Sequence, residues 1–556
     1  MWLGQNEDVL DLLAFILAAV AAIVALQYLA DRTGLPAAAL FTVAGLVYAV
    51  LPGPNLRLDP HVILTFVIPP LIYSAALNSS LLAIRANLRT VISLSIGLVL
   101  ATALVTGAGL ALFVPGVGLA AGVALGAAIS PTDPVAALAV GGRAGLPSKL
   151  ITIIEGEGLL NDATALTTLT VAVTAATSGG FSLADAVGRF LLAAAGGLLS
   201  GAAVAVAVRL LLKAVRDPLL VNGISLGTPF AAYLLGEELH VSGVLAVAVA
   251  GLMIGHNTPR FTSGASRLQA AAVWHLADFL LQGFVFLLIG QQILPVVRGL
   301  KAYPTATLWS AAAISVGVVL LLRPLWLVLT QTLPRAVARR RGRPGPPPGA
   351  DPFLSGREIA VLSWAGTRGV ISLAAIFTIP LTMSDGRPFP GRDLLLFCAF
   401  LAVVVTLIGQ GLTFGPVARV LRVRADLADA ALIRTQARAA AVQAGLARLD
   451  QIAADDGMLG EAVPAPAVDA LRASLEQKAQ RYRQILGRLE EAGEDAVPAS
   501  TPGYQVAVQA RRSVIDAQRE ELLRWRDAGH LPDASLRKLE RELDHEERML
   551  PPHEGH

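Results

Sequence analysis

Three short stretches set charged residues among apolar ones, and their types and spacing suggest one chemistry. In AAISPTDPVAALAV (127–140), Asp133 follows Thr132 and lies between Pro131 and Pro134. In IIEGEGLLNDATALTTLTVAV (153–173), Glu155, Glu157, Asn161 and Asp162 fall close together. In SWAGTRGVISLA (363–374), Arg368 stands between Gly366 and Gly369. Proline removes an N–H and clashes with the preceding turn, so paired prolines should interrupt a helix. The carbonyls this frees persist in a dry environment only beside a cavity or protein partners. A carboxylate at such a break makes an oxygen-rich, negative pocket suited to a hard cation. A simple proline kink, with Asp133 paired to a neighbour, would use the same residues without binding anything.

Helical spacing separates the second stretch into two faces. Gly158 and Asp162 stack at i,i+4, with Glu155 one turn further back. Glu157 and Asn161 form a second stack, rotated by about 100°. Two polar faces predict two roles, and a buried Arg368 needs a carboxylate, for which Glu157 is the expected partner. Glu155 follows Lys149 closely, so it is expected nearest the aqueous end of its segment.

The surroundings of these stretches explain why they matter. The 556-residue chain is 54% hydrophobic and only 15% charged, against roughly a quarter charged in soluble domains. Apolar runs near 9–30, 35–51, 62–77, 90–114, 118–140, 149–177, 185–213, 218–236, 240–256, 272–294, 305–333, 357–383 and 392–420 approach or exceed the ~20 residues a spanning helix needs. The expectation is an all-α membrane protein of about thirteen transmembrane helices, with the fifth and twelfth interrupted. Those two fall at matching places of segments 1–6 and 8–13, as two inverted six-helix repeats would arrange them around a transporter site. A charged group at the bilayer centre costs about 2.5–3.5 kcal/mol on insertion scales, so such residues are functional by default. The N-terminus lacks a basic region before its first apolar run, so that helix is expected to remain.

Basic residues predict orientation. One set of loops holds Arg85, Arg89, Lys149 and Arg339 to Arg341 among fifteen Lys and Arg, and the other set holds five. The richer side should be cytoplasmic, with the N-terminus outside and the C-terminus inside. The transmembrane domain is expected over 1–420, followed by a cytosolic helical tail over 421–556. The linker RRRGRPGPPPGADP (339–352) should meet lipid headgroups rather than nucleic acid. The single Cys398 excludes an intrachain disulfide, and nothing in the sequence calls for a cofactor.

SPTDPVAALAV followed by EGEGLLNDATAL resembles the monovalent cation:proton antiporter-1 family, which includes bacterial sodium/proton antiporters and is related to animal sodium/proton exchangers. VIPPLIYSAALN, ELHVSGVLAVAVAGLMIG, FVFLLIGQQI and GTRGVISLA add to the resemblance, which covers about residues 10–420. It implies that Asp162 binds the ion and exchanges the proton, with Asn161 the neutral neighbour that marks electroneutral members. It also implies that Thr132 and Asp133 complete the Na+ site, that Glu157 and Arg368 form a structural ion pair, and that the protein is a homodimer. Ser74 and Gly158 depart from the family pattern, which often has Glu and Ser there, and Gln282 stands where the animal exchangers carry an acid. Fewer side-chain ligands leave the choice among Na+, Li+ and K+ open.

The expected function is exchange of cytoplasmic Na+ or Li+ for external H+, electroneutral, in sodium and pH homeostasis. A K+/H+ antiporter on the same scaffold is the alternative. A cation channel would ring its pore with symmetric charges, whereas these acids are asymmetric. An intramembrane aspartyl protease would need Asp133 and Asp162 to share a proton as a dyad, with no use for Asn161 or Arg368.

Overall fold

The computed structural model describes residues 2–51, 60–178, 183–215, 217–340, 353–383, 385–423, 427–454, 465–492, 502–528 and 530–548. Among them there is no strand, only an isolated antiparallel bridge between Thr382 and Pro388. The chain divides into two compact units, Met1–Ala425 and Asp426–His556.

Helices occupy the places of the expected apolar runs in the first unit. Eight of those described are long and apolar enough to cross a membrane. Ala37–Ala49, Ile63–Asn78 and Leu119–Ile129 are shorter apolar helices. The fifth run breaks into Leu119–Ile129 and Pro134–Ala144, and the twelfth into Gly356–Trp364 and Val370–Phe377. Pro134 opens its helix at the first position, where a missing N–H leaves no bond unmade. The 31-residue Ser148–Ser178 helix packs against both halves of the first broken helix, which brings its acids to the gap. Leu17, Leu112, Phe113, Leu199 and Leu321 are 61–77% exposed on the outside of the unit. Water would penalise that surface, and hydrocarbon would not.

Small residues let the helices approach closely. Where Ala37–Ala49 crosses Gly264–Gln291, a Cβ on Gly45 would fall on the Leu287 carbonyl, and one on Gly290 on the Thr42 carbonyl. Gly290→Val should therefore force the pair apart and cost about 1–3 kcal/mol or more. The check is the thermal unfolding midpoint in detergent; an unchanged midpoint would mean that this contact is not tight.

The second unit contains Leu427–Ala454 packed on Ala465–Ala492, and Pro502–Asp527 packed on Asp533–Arg548. Arg519 joins the latter two by donating to Asp544 and Glu547, each at 2.6 Å. Of the expected linker over 339–352, residues 341–352 lie outside the described residues.

Candidate functional site

The two broken helices meet at their breaks and complete each other's backbone hydrogen bonding. The Asp133 N–H donates to the Thr367 carbonyl at 2.7 Å, and the Thr367 hydroxyl donates to the Asp133 carbonyl at 2.8 Å. Arg368 reinforces the crossing: its Nε donates to the Ile129 carbonyl at 2.6 Å and its Nη1 to the Gly366 carbonyl at 2.7 Å. Its own N–H donates to the Thr406 hydroxyl at 3.0 Å, in a π-helical turn of Val405–Gln410. Carbonyls at helix ends lack intrahelical partners, and burying them unpaired is costly. Gly369 is required by close approach, because a Cβ there would fall on the Asp133 carboxylate.

The expected pairing of Glu157 with Arg368 is corrected by the structure: Glu157 pairs with Arg323, from the Thr305–Arg340 helix. Arg323 Nη1 meets Glu157 Oε1, Nη2 donates to Oε2 at 2.9 Å, and Nε donates to the Leu362 carbonyl at 3.0 Å. The reason lies in donor geometry. Arg368 commits its guanidinium to two carbonyls, whereas Arg323 presents a two-pronged fork to the carboxylate. Both members of the pair are only 2% exposed.

The same carboxylate anchors a polar chain. The Thr132 hydroxyl donates to Glu157 Oε1 at 2.9 Å and accepts from the Asn161 amide at 3.0 Å. The Asn161 amide also donates to the Thr132 carbonyl at 3.2 Å. Asn161, Thr132, Glu157 and Arg323 thus form a network that stiffens the break.

Beside this network lies a cavity of about 390 Å³, lined by Thr132, Asp133, Glu155, Gly158, Asp162, Asn78, Asp278, Gln282 and Ser372 together with apolar side chains. It has room for a cation with several waters, each about 30 Å³ in the liquid. Four carboxylates reach the wall while Arg323 and Arg368 do not, so the cavity attracts cations. The acids differ in how they are held. Asp133 Oδ1 accepts from the Val135 N–H at 2.9 Å and caps the Pro134–Ala144 helix. The Asp162 carboxylate, 5% exposed, has no hydrogen-bond partner among the described residues. Asp133, Glu155 and Asp278 each accept a hydrogen bond, so among the described carboxylates of the wall Asp162 is the one available to an exchangeable ligand. Among the described residues no three His, Cys, Asp or Glu side chains converge as a transition-metal ligand set would.

The remaining expected residues have distinct places. Gly158 lines the cavity against the Pro134 ring, which would sit 2.9 Å from a Cβ there. Asn161 is buried and turned to Thr132, and its Oδ1 has no partner among the described residues. Ser74 is wholly buried behind the wall and reaches the cavity only through Asp278, to which its hydroxyl donates. Arg323 and Asp278 escaped the sequence reading. Each is a lone charge in an apolar run, LLLRPLW and HLADFLLQG, and that isolation was the available signal.

A family model described as sodium/hydrogen exchanger, transmembrane, matches residues 16–420. An uncharacterized Na+/H+ exchanger of Mycobacterium tuberculosis is 33% identical over 99% of this chain and 98% of its own length. The sodium, potassium, lithium and rubidium/H+ antiporter of Bacillus subtilis is 32% identical over 66% of this chain and 55% of its own. The solved structure of the sodium proton antiporter MjNhaP1 from Methanocaldococcus jannaschii superposes with a TM-score of 0.59, covering 74% of this chain and 98% of that one at 18% identity. At that identity the likeness speaks for the fold.

Proposed function

The chain belongs to the sodium/hydrogen exchanger family, and on that premise we propose that it exchanges cytoplasmic Na+ or Li+ for external H+, one for one, through Asp162. The observation that carries this reading is the Asp162 carboxylate, without a hydrogen bond among the described residues, on a negative cavity at the crossing of two broken helices. A carboxylate in a dehydrated pocket holds a proton or a cation, not both, because each neutralises the same charge. If only the two loaded forms cross, ion exit is tied to proton entry. Asn161 cannot ionise, so the moving site carries the same charge in either form and exchange is electroneutral. Asp133, fixed by its cap, attracts and orients the cation; Thr132, Glu157 and Arg323 hold the break.

The proposal extends to architecture and setting. Segments 1–6 and 8–13 act as inverted repeats that rock around the site. The excess of basic loop residues supports an outside N-terminus, a cytosolic 421–556 tail and residence in the cell membrane. The protein works as a homodimer in sodium and pH homeostasis. Potassium is a second substrate reading, favoured by the name of the Bacillus subtilis relative.

Purified protein in liposomes, with a pH-sensitive dye inside, tests this. Addition of Na+ or Li+ should drive proton movement that does not change when valinomycin and K+ clamp the voltage. A response to K+ alone would shift the substrate, and a rate that follows the clamped voltage would overturn electroneutrality.

A further inference from the structure

The cavity holds a carboxylate that the exchange mechanism leaves unused. Asp278 comes from Gly264–Gln291 and lines the same wall as Asp162. Its Oδ2 accepts the Ser74 hydroxyl from Ile68–Asn78, and the Asn78 amide in turn donates to the Ser74 carbonyl at 3.0 Å. Ser74 therefore fixes the rotamer and occupies one oxygen, leaving Oδ1 for another partner. A second, independent feature points to a ligand in this space. Ser372, from Val370–Phe377, lines the cavity, is 1% exposed, and its hydroxyl has no partner among the described residues. A buried hydroxyl without a partner is costly unless something binds it. Asp162, Asp278 and Ser372 thus bring oxygens from three helices to one chamber.

We propose that Asp278, oriented by Ser74, coordinates the transported cation and sets affinity and selectivity, with Ser372 supplying a neutral oxygen. This rests on the antiport reading above. The number and charge of oxygens around an alkali cation govern how well its hydration shell is replaced. A second carboxylate strengthens that replacement without itself exchanging the proton. The competing role is a structural tie between two helices, and Asp278→Asn separates the two. Asparagine keeps an acceptor for Ser74 but loses the charge.

The full-length protein would be assayed for exchange against Na+, Li+ and K+ concentration, and for cation-dependent thermal stabilisation in detergent. Asp278→Asn should leave the cation-free midpoint unchanged and raise the half-saturating cation concentration about tenfold, equivalent to one modest coordination contact. It should also change the Na+ to K+ preference and weaken stabilisation by the preferred cation. The reciprocal exchange Ser74→Asp with Asp278→Ser returns the charge to the same spot from the other helix, and should recover most of the loss. Ser372→Ala should raise half-saturation severalfold. Half-saturation of Asp278→Asn within twofold of native, while Asp162→Asn is inactive, would overturn this proposal and leave antiport standing. A native protein that no alkali cation drives or stabilises would overturn both.

Discussion

Asp162→Asn should reduce cation-driven proton exchange to the level of protein-free liposomes. Asparagine matches aspartate in shape, so cavity and helix should persist. It cannot release a proton in the working range and offers no charge to a cation, so neither loaded form can be made. The contrast within the site sharpens the expectation. Glu157 is saturated by Arg323 and Thr132, and Asp133 is partly used by the Val135 N–H. Asp162 has no hydrogen bond among the described residues to lose, so the variant should keep its unfolding midpoint while losing exchange. Both are read on one preparation, flux in liposomes and unfolding in detergent. Exchange at native rate would remove Asp162 from the mechanism. Loss of both exchange and folding would make the residue structural instead.

Arg323→Leu should be the most destabilising single change at the breaks. It leaves Glu157 buried and uncompensated, which costs about 3–5 kcal/mol in comparable pairs. It also frees the Leu362 carbonyl at the end of Gly356–Trp364. The unfolding midpoint should fall sharply. Adding Glu157→Gln should recover much of that fall, because an uncharged amide no longer needs the guanidinium. A cycle of the two single variants and the double variant measures the coupling. Near-additive losses would mean that Arg323 acts mainly through Leu362 and that the ion pair contributes little. Arg368→Leu should couple more weakly to Glu157, since its described side-chain hydrogen bonds go to carbonyls of Ile129 and Gly366 and it meets the carboxylate only through space.

Much of the site could be read from the sequence because the membrane makes polar residues conspicuous. Asp133 between prolines and Asp162 in an apolar helix are expensive anywhere but at a functional cavity. The same physics made Arg368 visible, yet not its partner. Helical spacing says which residues share a face of one segment, but carries no information about which face of another segment it meets. Glu157 therefore had two arginines available, and only the packing of Thr305–Arg340 against the second break selected Arg323. Asp278 was overlooked for a related reason. It stands four residues before Gln282, and its meaning depends on Ser74, some two hundred positions away.

The sequence by itself determined the environment, the helical class, the two interruptions and the acids at the first of them. Each follows from local chemistry: apolar length, proline's missing N–H at the first break, the freedom of Gly366 and Gly369 at the second, and the cost of a charge in hydrocarbon. Tertiary structure alone decided the division of labour among the charges. It directed Arg368 to orphan carbonyls and Arg323 to Glu157, set Ser74 behind Asp278, and left Asp162 free on the cavity wall. Those outcomes depend on which donors reach which acceptors once helices distant in sequence are packed, and hydrogen bonds and ion pairs act only over such short distances.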